Sequence, residues 1–282
     1  MRYEEFRARQ KSDELDGLSY MPLKVTWTDV GEGEPVVLLH GIPTWSYLYH
    51  DVIPLLEPHC RVIAPDFLGH GYSDKRDRFD RSLLAQTRMV LRLLDHLGLE
   101  RVTLVGHDTG GGVALIMGVE QPERLERLVL SNVVAYDSWP IDDMIALGNP
   151  KLKEKSPTEI ADFVASGLPD GLHKPESLTE EFKRGIVAPY SDEEGKISII
   201  RNASALNTNH TTALMDRHKN ISCPTLVLWG VHDPWQTIKD GEQLAREIPT
   251  ARLVRLEHAS HWLQQDCPRE YAAEVLKFIQ ET

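Results

Sequence analysis

Six short apolar runs recur along the chain, Pro35–Leu39, Cys60–Ala64, Val102–Val105, Leu125–Leu130, Thr225–Trp229 and Ala251–Leu256. Each is rich in valine, leucine or isoleucine, and glycine, proline or polar residues punctuate the segments between them. Runs of this length that do not alternate suit strands covered on both faces, as in a parallel sheet. Between them lie helical patterns. Leu83, Leu84, Thr87, Val90, Leu91, Leu94 and Leu97 share one broad face, and Gly98 fits the end of that helix. Val113–Val119, Gln243–Ile248 and Pro268–Ile279 also read as helices, the last with proline in its first turn. Met21–Asp29 alternates loosely and suits a strand, and the first twenty residues, being polar, are expected only to lead into the fold. Strand and helix in alternation predict an α/β fold with a mostly parallel central sheet flanked by helices. The alternation stops between residues 132 and 219, where prolines stand at 140, 150, 157, 169, 175 and 189 and no strong strand is visible. This stretch predicts a helical cap, 132–219, inserted into a core made of residues 1–131 and 220–282.

Charge narrows the range of partners. The 282 residues carry 31 basic and 43 acidic side chains, a net charge of -12. Such a surface repels phosphate backbones and anionic membranes, so neither nucleic acid nor membrane is expected as a partner. The three cysteines, Cys60, Cys223 and Cys267, are odd in number and widely spaced, which predicts neither a disulfide framework nor a zinc ribbon. The charged start of the chain lacks the apolar core of a signal peptide, and no run approaches the ~20 apolar residues of a membrane span. A cytoplasmic protein is the expectation.

The strongest local signal is Gly106-His107-Asp108-Thr109-Gly110, placed between a strand and a helix. A nucleophile on a sharp strand-to-helix turn needs small neighbours, which Gly106, Gly110, Gly111 and Gly112 supply. The usual residue at its centre is serine; here it is Asp108, at a helix N-terminus whose partial positive charge favours a carboxylate. A phosphate-binding loop is excluded, because Gly112-Val113 stands where lysine and then serine or threonine would be needed. Upstream, His40-Gly41-Ile42-Pro43 follows a strand directly. With an elbow downstream, that loop and the residue after the nucleophile supply the two backbone donors of an oxyanion hole, here Ile42 and Thr109. Asp233 follows the strand ending at Trp229-Gly230, and His261 follows the next one. The order nucleophile, acid, histidine completes a catalytic triad. His258 and His261 lack a third ligand, so no metal is expected, and no cofactor.

With those motifs in place, the chain resembles the α/β-hydrolase superfamily in its branch of epoxide hydrolases and haloalkane dehalogenases. The resemblance spans nearly the whole catalytic domain, through HGIPTWSYLY, APDFLGHGYSD, LVGHDTGG, LWGVHDPW and ASHWLQQDCP. It implies that the aspartate attacks carbon to form an ester, the histidine activates water to cleave it, and the second acid orients the histidine. A carboxylate is ionised at neutral pH and needs no base to attack a carbon bearing a leaving group. Ordinary ester cleavage by it would yield an anhydride, which argues against a serine-type esterase role.

The leaving group remains to be read. Haloalkane dehalogenases of this branch carry tryptophan after the nucleophile, and tryptophan or asparagine as a second halide donor; this chain has Thr109 and Ile42 in those places. Fluoroacetate dehalogenases carry arginines after the aspartate, which this chain lacks. An epoxide oxygen leaves as an alkoxide and needs an acid. Epoxide hydrolases of this branch take it from two cap tyrosines, or from a histidine and a tyrosine. That resemblance points to Tyr190 and His210, with Tyr136 at the cap hinge as a further candidate. The expectation is an epoxide hydrolase that takes a small apolar epoxide and water. The alternatives are a haloalkane dehalogenase and, in another class, a non-catalytic ligand-binding protein of the same fold, which would not need all three triad residues. A homodimer is compatible with the sequence.

Overall fold

The apolar runs form six adjacent strands of an eight-stranded sheet in the computed structural model, which describes residues 1–282. The strands are β1 (Gln10–Leu15), β2 (Leu23–Val30), β3 (Pro35–Leu39), β4 (Arg61–Pro65), β5 (Val102–Asp108), β6 (Leu125–Val133), β7 (Thr225–Gly230) and β8 (Ala251–Leu256). Their order across the sheet is β1-β2-β4-β3-β5-β6-β7-β8. Only the β1/β2 and β2/β4 pairs are antiparallel.

Side chains alternate across each strand, so an unbroken apolar run feeds two cores at once. Val37, Leu39, Leu104, Leu128, Leu130, Val227 and Trp229 pack on one face of the sheet. Val36, Leu38, Val105, Val129, Leu226 and Leu228 pack on the other. The helices Leu83–His96 and Thr109–Glu120 contribute to the first core, and the helix Pro268–Glu281 to the second.

Two features differ from the sequence expectation. The N-terminal residues are part of the fold: Tyr3–Arg9 is helical and β1 pairs along the whole first half of β2 and beyond, from Gln10 opposite Thr28 to Leu15 opposite Leu23. This strand escapes a hydrophobic reading because it is an edge, exposed along Lys11–Glu14, where polar side chains discourage pairing with other chains. In addition, β6 runs on through Val133, past the expected cap boundary. From there to β7 the chain forms only helices, among them Asp142–Leu147, Pro157–Gly167, Glu180–Val187 and Glu193–Ser204. Leu147, Ile160, Val164, Tyr190, Ile199, Ile200 and Ala203 from this insertion make their own small core, which closes on Ile42 of the sheet domain. No helix is long and apolar enough to cross a membrane.

Candidate active site

β5 ends at Asp108, and the helix Thr109–Glu120 starts at the next residue. The turn puts Asp108 at φ 50 and ψ -122, a conformation that costs a non-glycine residue on the order of 1–3 kcal/mol. The surroundings hold it there. A β-carbon at Gly106 would lie 2.7 Å from the Cα of Gly111, so only glycine lets the helix start this close to the strand. The Asp108 carbonyl accepts from Val134 N–H at 3.1 Å.

The side chain of Asp108 is 6% exposed, and its Oδ1 accepts the backbone N–H of Ile42 at 2.8 Å. Gly41 makes this approach feasible, since a β-carbon there would come within 2.6 Å of Asp108 Cγ. Burial pushes the Asp108 carboxyl above its ordinary range, while the charge of His261 and the N–H groups of Thr109 and Ile42 pull it back only in part. His40 of the same loop accepts Phe67 N–H at 2.9 Å through Nε2, which ties the loop to the next one. Pro43 lines the cavity beside Ile42.

Asp233 holds the imidazole. Its Oδ2 faces His261 Nδ1 at 2.8 Å and accepts Asn132 Nδ2 at 2.6 Å. Its Oδ1 accepts the backbone N–H groups of Trp235 at 2.8 Å and Gln236 at 3.0 Å. A carboxylate so placed keeps the proton on Nδ1 and leaves Nε2 free as a base. Burial alone would depress His261, but the charge and hydrogen bond of Asp233, aided by Asp108, outweigh it and raise the imidazole above its ordinary value. The His107 ring sits 4.7 Å from that of His261, and burial holds it well below its ordinary value, hence neutral. Trp235 and Trp262 meet the His261 ring edge-on at 4.9 and 4.3 Å.

Asp108 and His261 open into one cavity of about 270 Å³, with Ile42, Thr109, Trp139, Trp235, Gln236 and Trp262 among its walls. Met144, Phe163, Val164 and Leu168 cover it from the inserted helices. The indole N–H of Trp139 is engaged by Thr211 and that of Trp262 by the Leu168 carbonyl.

The three leaving-group acids expected from the sequence do not line this cavity. Tyr190 is fully buried in the small core of the insertion, with its hydroxyl 3.4 Å from the Thr44 carbonyl. Tyr136 donates to Glu247, which also bonds His218, so it ties the start and the end of the insertion to the helix Ile238–Glu247. His210, on the short helix Asn209–Thr212, lies partly exposed away from Asp108. Asn132 carries no signal in the sequence. Its amide accepts Gly230 N–H at 2.8 Å while donating to Asp233, so it positions the acid. The cavity residues Trp139, Phe163 and Gln236 carried no local signal, because each stands in a segment without a motif.

The chain belongs to the α/β-hydrolase fold family, which matches residues 34–267. It is a hydrolase of that family. Haloalkane dehalogenase 2 of Mycobacterium tuberculosis is 29% identical over 265 residues, covering 90% of this chain and 91% of that one. Cis-3-alkyl-4-alkyloxetan-2-one decarboxylase of Shewanella oneidensis is 27% identical over 92% of this chain and 86% of its own length. The solved structure of epoxide hydrolase CorEH superposes with a TM-score of 0.82 over 96% of this chain and 98% of that one, at 23% identity, a likeness of fold.

Proposed function

We propose that this hydrolase cleaves a bond between saturated carbon and a leaving group that departs as a weak base, through an ester on Asp108. The observation that carries this reading is a carboxylate, rather than a hydroxyl, on the strained turn above a cavity that it shares with a histidine bonded to Asp233. Asp108 forms a C–O bond to the substrate carbon as the leaving group departs with its electron pair. Nε2 of His261 then takes a proton from water, whose oxygen adds to the carbonyl carbon of the Asp108 ester. Backbone N–H groups of Ile42 and Thr109 steady the resulting oxyanion. Collapse expels the substrate as an alkoxide, which takes the proton from His261, and Asp108, left as the carboxylic acid, gives up its proton to solvent to regain the carboxylate.

The choice of leaving group rests on the walls of the cavity. An alkoxide departing from an oxirane needs a proton donor, and Tyr190, His210 and Tyr136 all lie outside. Halide needs none, and haloalkanes stand in the name of one relative. An oxetan-2-one ring attacked at its alkyl carbon likewise releases a weakly basic carboxylate, and such a ring stands in the name of another. The test is a leaving-group panel of bromoalkane, oxetan-2-one and epoxide, run with the wild type and with His261→Gln. The expected result is bromide release by the wild type and, in the variant, a covalent adduct on Asp108 visible by intact mass. Turnover of the epoxide alone would overturn the weak-base reading. Turnover without an adduct, and without heavy oxygen from labelled water entering Asp108, would overturn the ester route.

A further inference from the structure

Gln236 is a buried polar wall residue that the mechanism above does not use. It is 3% exposed and lines the cavity, yet its carboxamide has no hydrogen-bond partner in the protein; Oε1 is a buried orphan. Its backbone is occupied: the N–H goes to Asp233 and the carbonyl accepts the Trp229 indole at 2.9 Å. The main chain is therefore fixed by Asp233 and Trp229, and the unpartnered side chain extends from it at the cavity wall. An unsatisfied buried amide is costly, and a site that keeps one discriminates in favour of a ligand that answers it.

The charge of the cavity limits what that ligand group can be. Asp108, Asp143 and Asp170 line it, with Asp143 and Asp170 on exposed positions of the inserted helices, and no lysine or arginine is among the lining residues. A carboxylate on the substrate would meet three carboxyl side chains, with His261, already paired with Asp233, as the one group able to carry positive charge. A hydroxyl is neutral and both donates and accepts, so it satisfies the amide in either of its two flipped orientations.

Building on the weak-base reading of Asp108, we propose that Gln236 is a specificity-determining residue and that the substrate carries a neutral hydroxyl in addition to its leaving group. The test compares a terminal bromoalkane with the bromoalkanol of the same chain length, in wild type and Gln236→Leu. The wild type is expected to favour the bromoalkanol in kcat/KM by about tenfold or more, and the variant to lose most of that preference. A purely structural role would lower both substrates alike and leave the ratio where it was; that outcome, or a wild type without preference, overturns the proposal. If neither compound releases bromide, the halide form of the weak-base reading has failed on its own. The same pair is then titrated against tryptophan fluorescence, which Trp139, Trp235 and Trp262 on the cavity wall make sensitive to occupancy. Tighter binding of the bromoalkanol that vanishes in Gln236→Leu upholds the role of Gln236, and equal binding sinks it.

Discussion

On the proposed ester route, replacing Asp233 by asparagine is expected to separate the two half-reactions. Asparagine is close to isosteric, and its oxygen can still accept Trp235 N–H and Gln236 N–H, which bond Oδ1 at 2.8 and 3.0 Å. The amide nitrogen then falls where Oδ2 stood, facing Asn132 Nδ2 and His261 Nδ1, both of which are donors to Asp233 in the native site. His261 relieves the conflict by moving its proton to Nε2, and in that tautomer it has no lone pair for water. In serine hydrolases the equivalent tautomer error costs roughly 10⁴ in rate, or about 5.5 kcal/mol of barrier. Here the penalty falls on one step only, because attack by Asp108 on carbon requires no base. Ester formation is therefore expected to slow less than about tenfold and ester hydrolysis by roughly 10³–10⁴. Quench-flow with a bromoalkane would show a burst of bromide close to one equivalent per active site, then a slow phase, with the alkyl adduct present by mass. Equal slowing of both steps, or slow turnover with free Asp108, would refute the argument.

Gly41→Ala is expected to lower kcat/KM by about 100-fold, since the added β-carbon within 2.6 Å of Asp108 Cγ must displace the nucleophile; steady-state kinetics alongside a melting curve would check that the loss is not unfolding. Tyr190→Phe should leave kcat within about threefold while costing roughly 1 kcal/mol of stability, because the phenol bonds the Thr44 carbonyl away from the cavity. A loss of kcat confined to epoxides would restore the phenol as a proton donor. Asp108→Asn should melt higher than the wild type at pH 7. The Asp108 carboxyl is raised by burial, so the stability it contributes when protonated is present below its unfolded pKa and is lost as pH rises through its folded one. At neutral pH the buried charge is a net cost, so the variant should have the higher Tm, and the gap between variant and wild type should shrink as the pH falls. A variant that melts lower at pH 7 would show that the N–H contacts of Asp108 outweigh its desolvation.

Asp108, His261 and Asp233 were legible because each stands at the carboxyl end of a strand whose apolar run is visible by itself, and the glycines around Asp108 report a steric need that is local. The donors Ile42 and Thr109 follow from the same logic, since a backbone N–H depends on position rather than on side chain. β1 was hidden because its exposed positions Lys11–Glu14 are all polar, so the apolar pattern that marks the other strands is missing. Asn132 was hidden because its value lies in two hydrogen bonds, one to the Gly230 backbone and one to Asp233, that join β6 to the end of β7 and the loop after it, a hundred residues away in sequence.

The sequence by itself determined the parallel sheet, the tight turn and the carboxyl side chain upon it. These depend on apolar runs and glycines whose consequences are settled within a few residues. Only the tertiary structure decided which side chains of the insertion face Asp108. In a layer of short helices an aromatic ring serves equally to fill a core or to wall a cavity, and nothing in the local pattern separates Tyr190, sealed among Ile160, Val164 and Ile199, from Trp139, which bounds the open space. That choice is made by how the helices pack against the sheet.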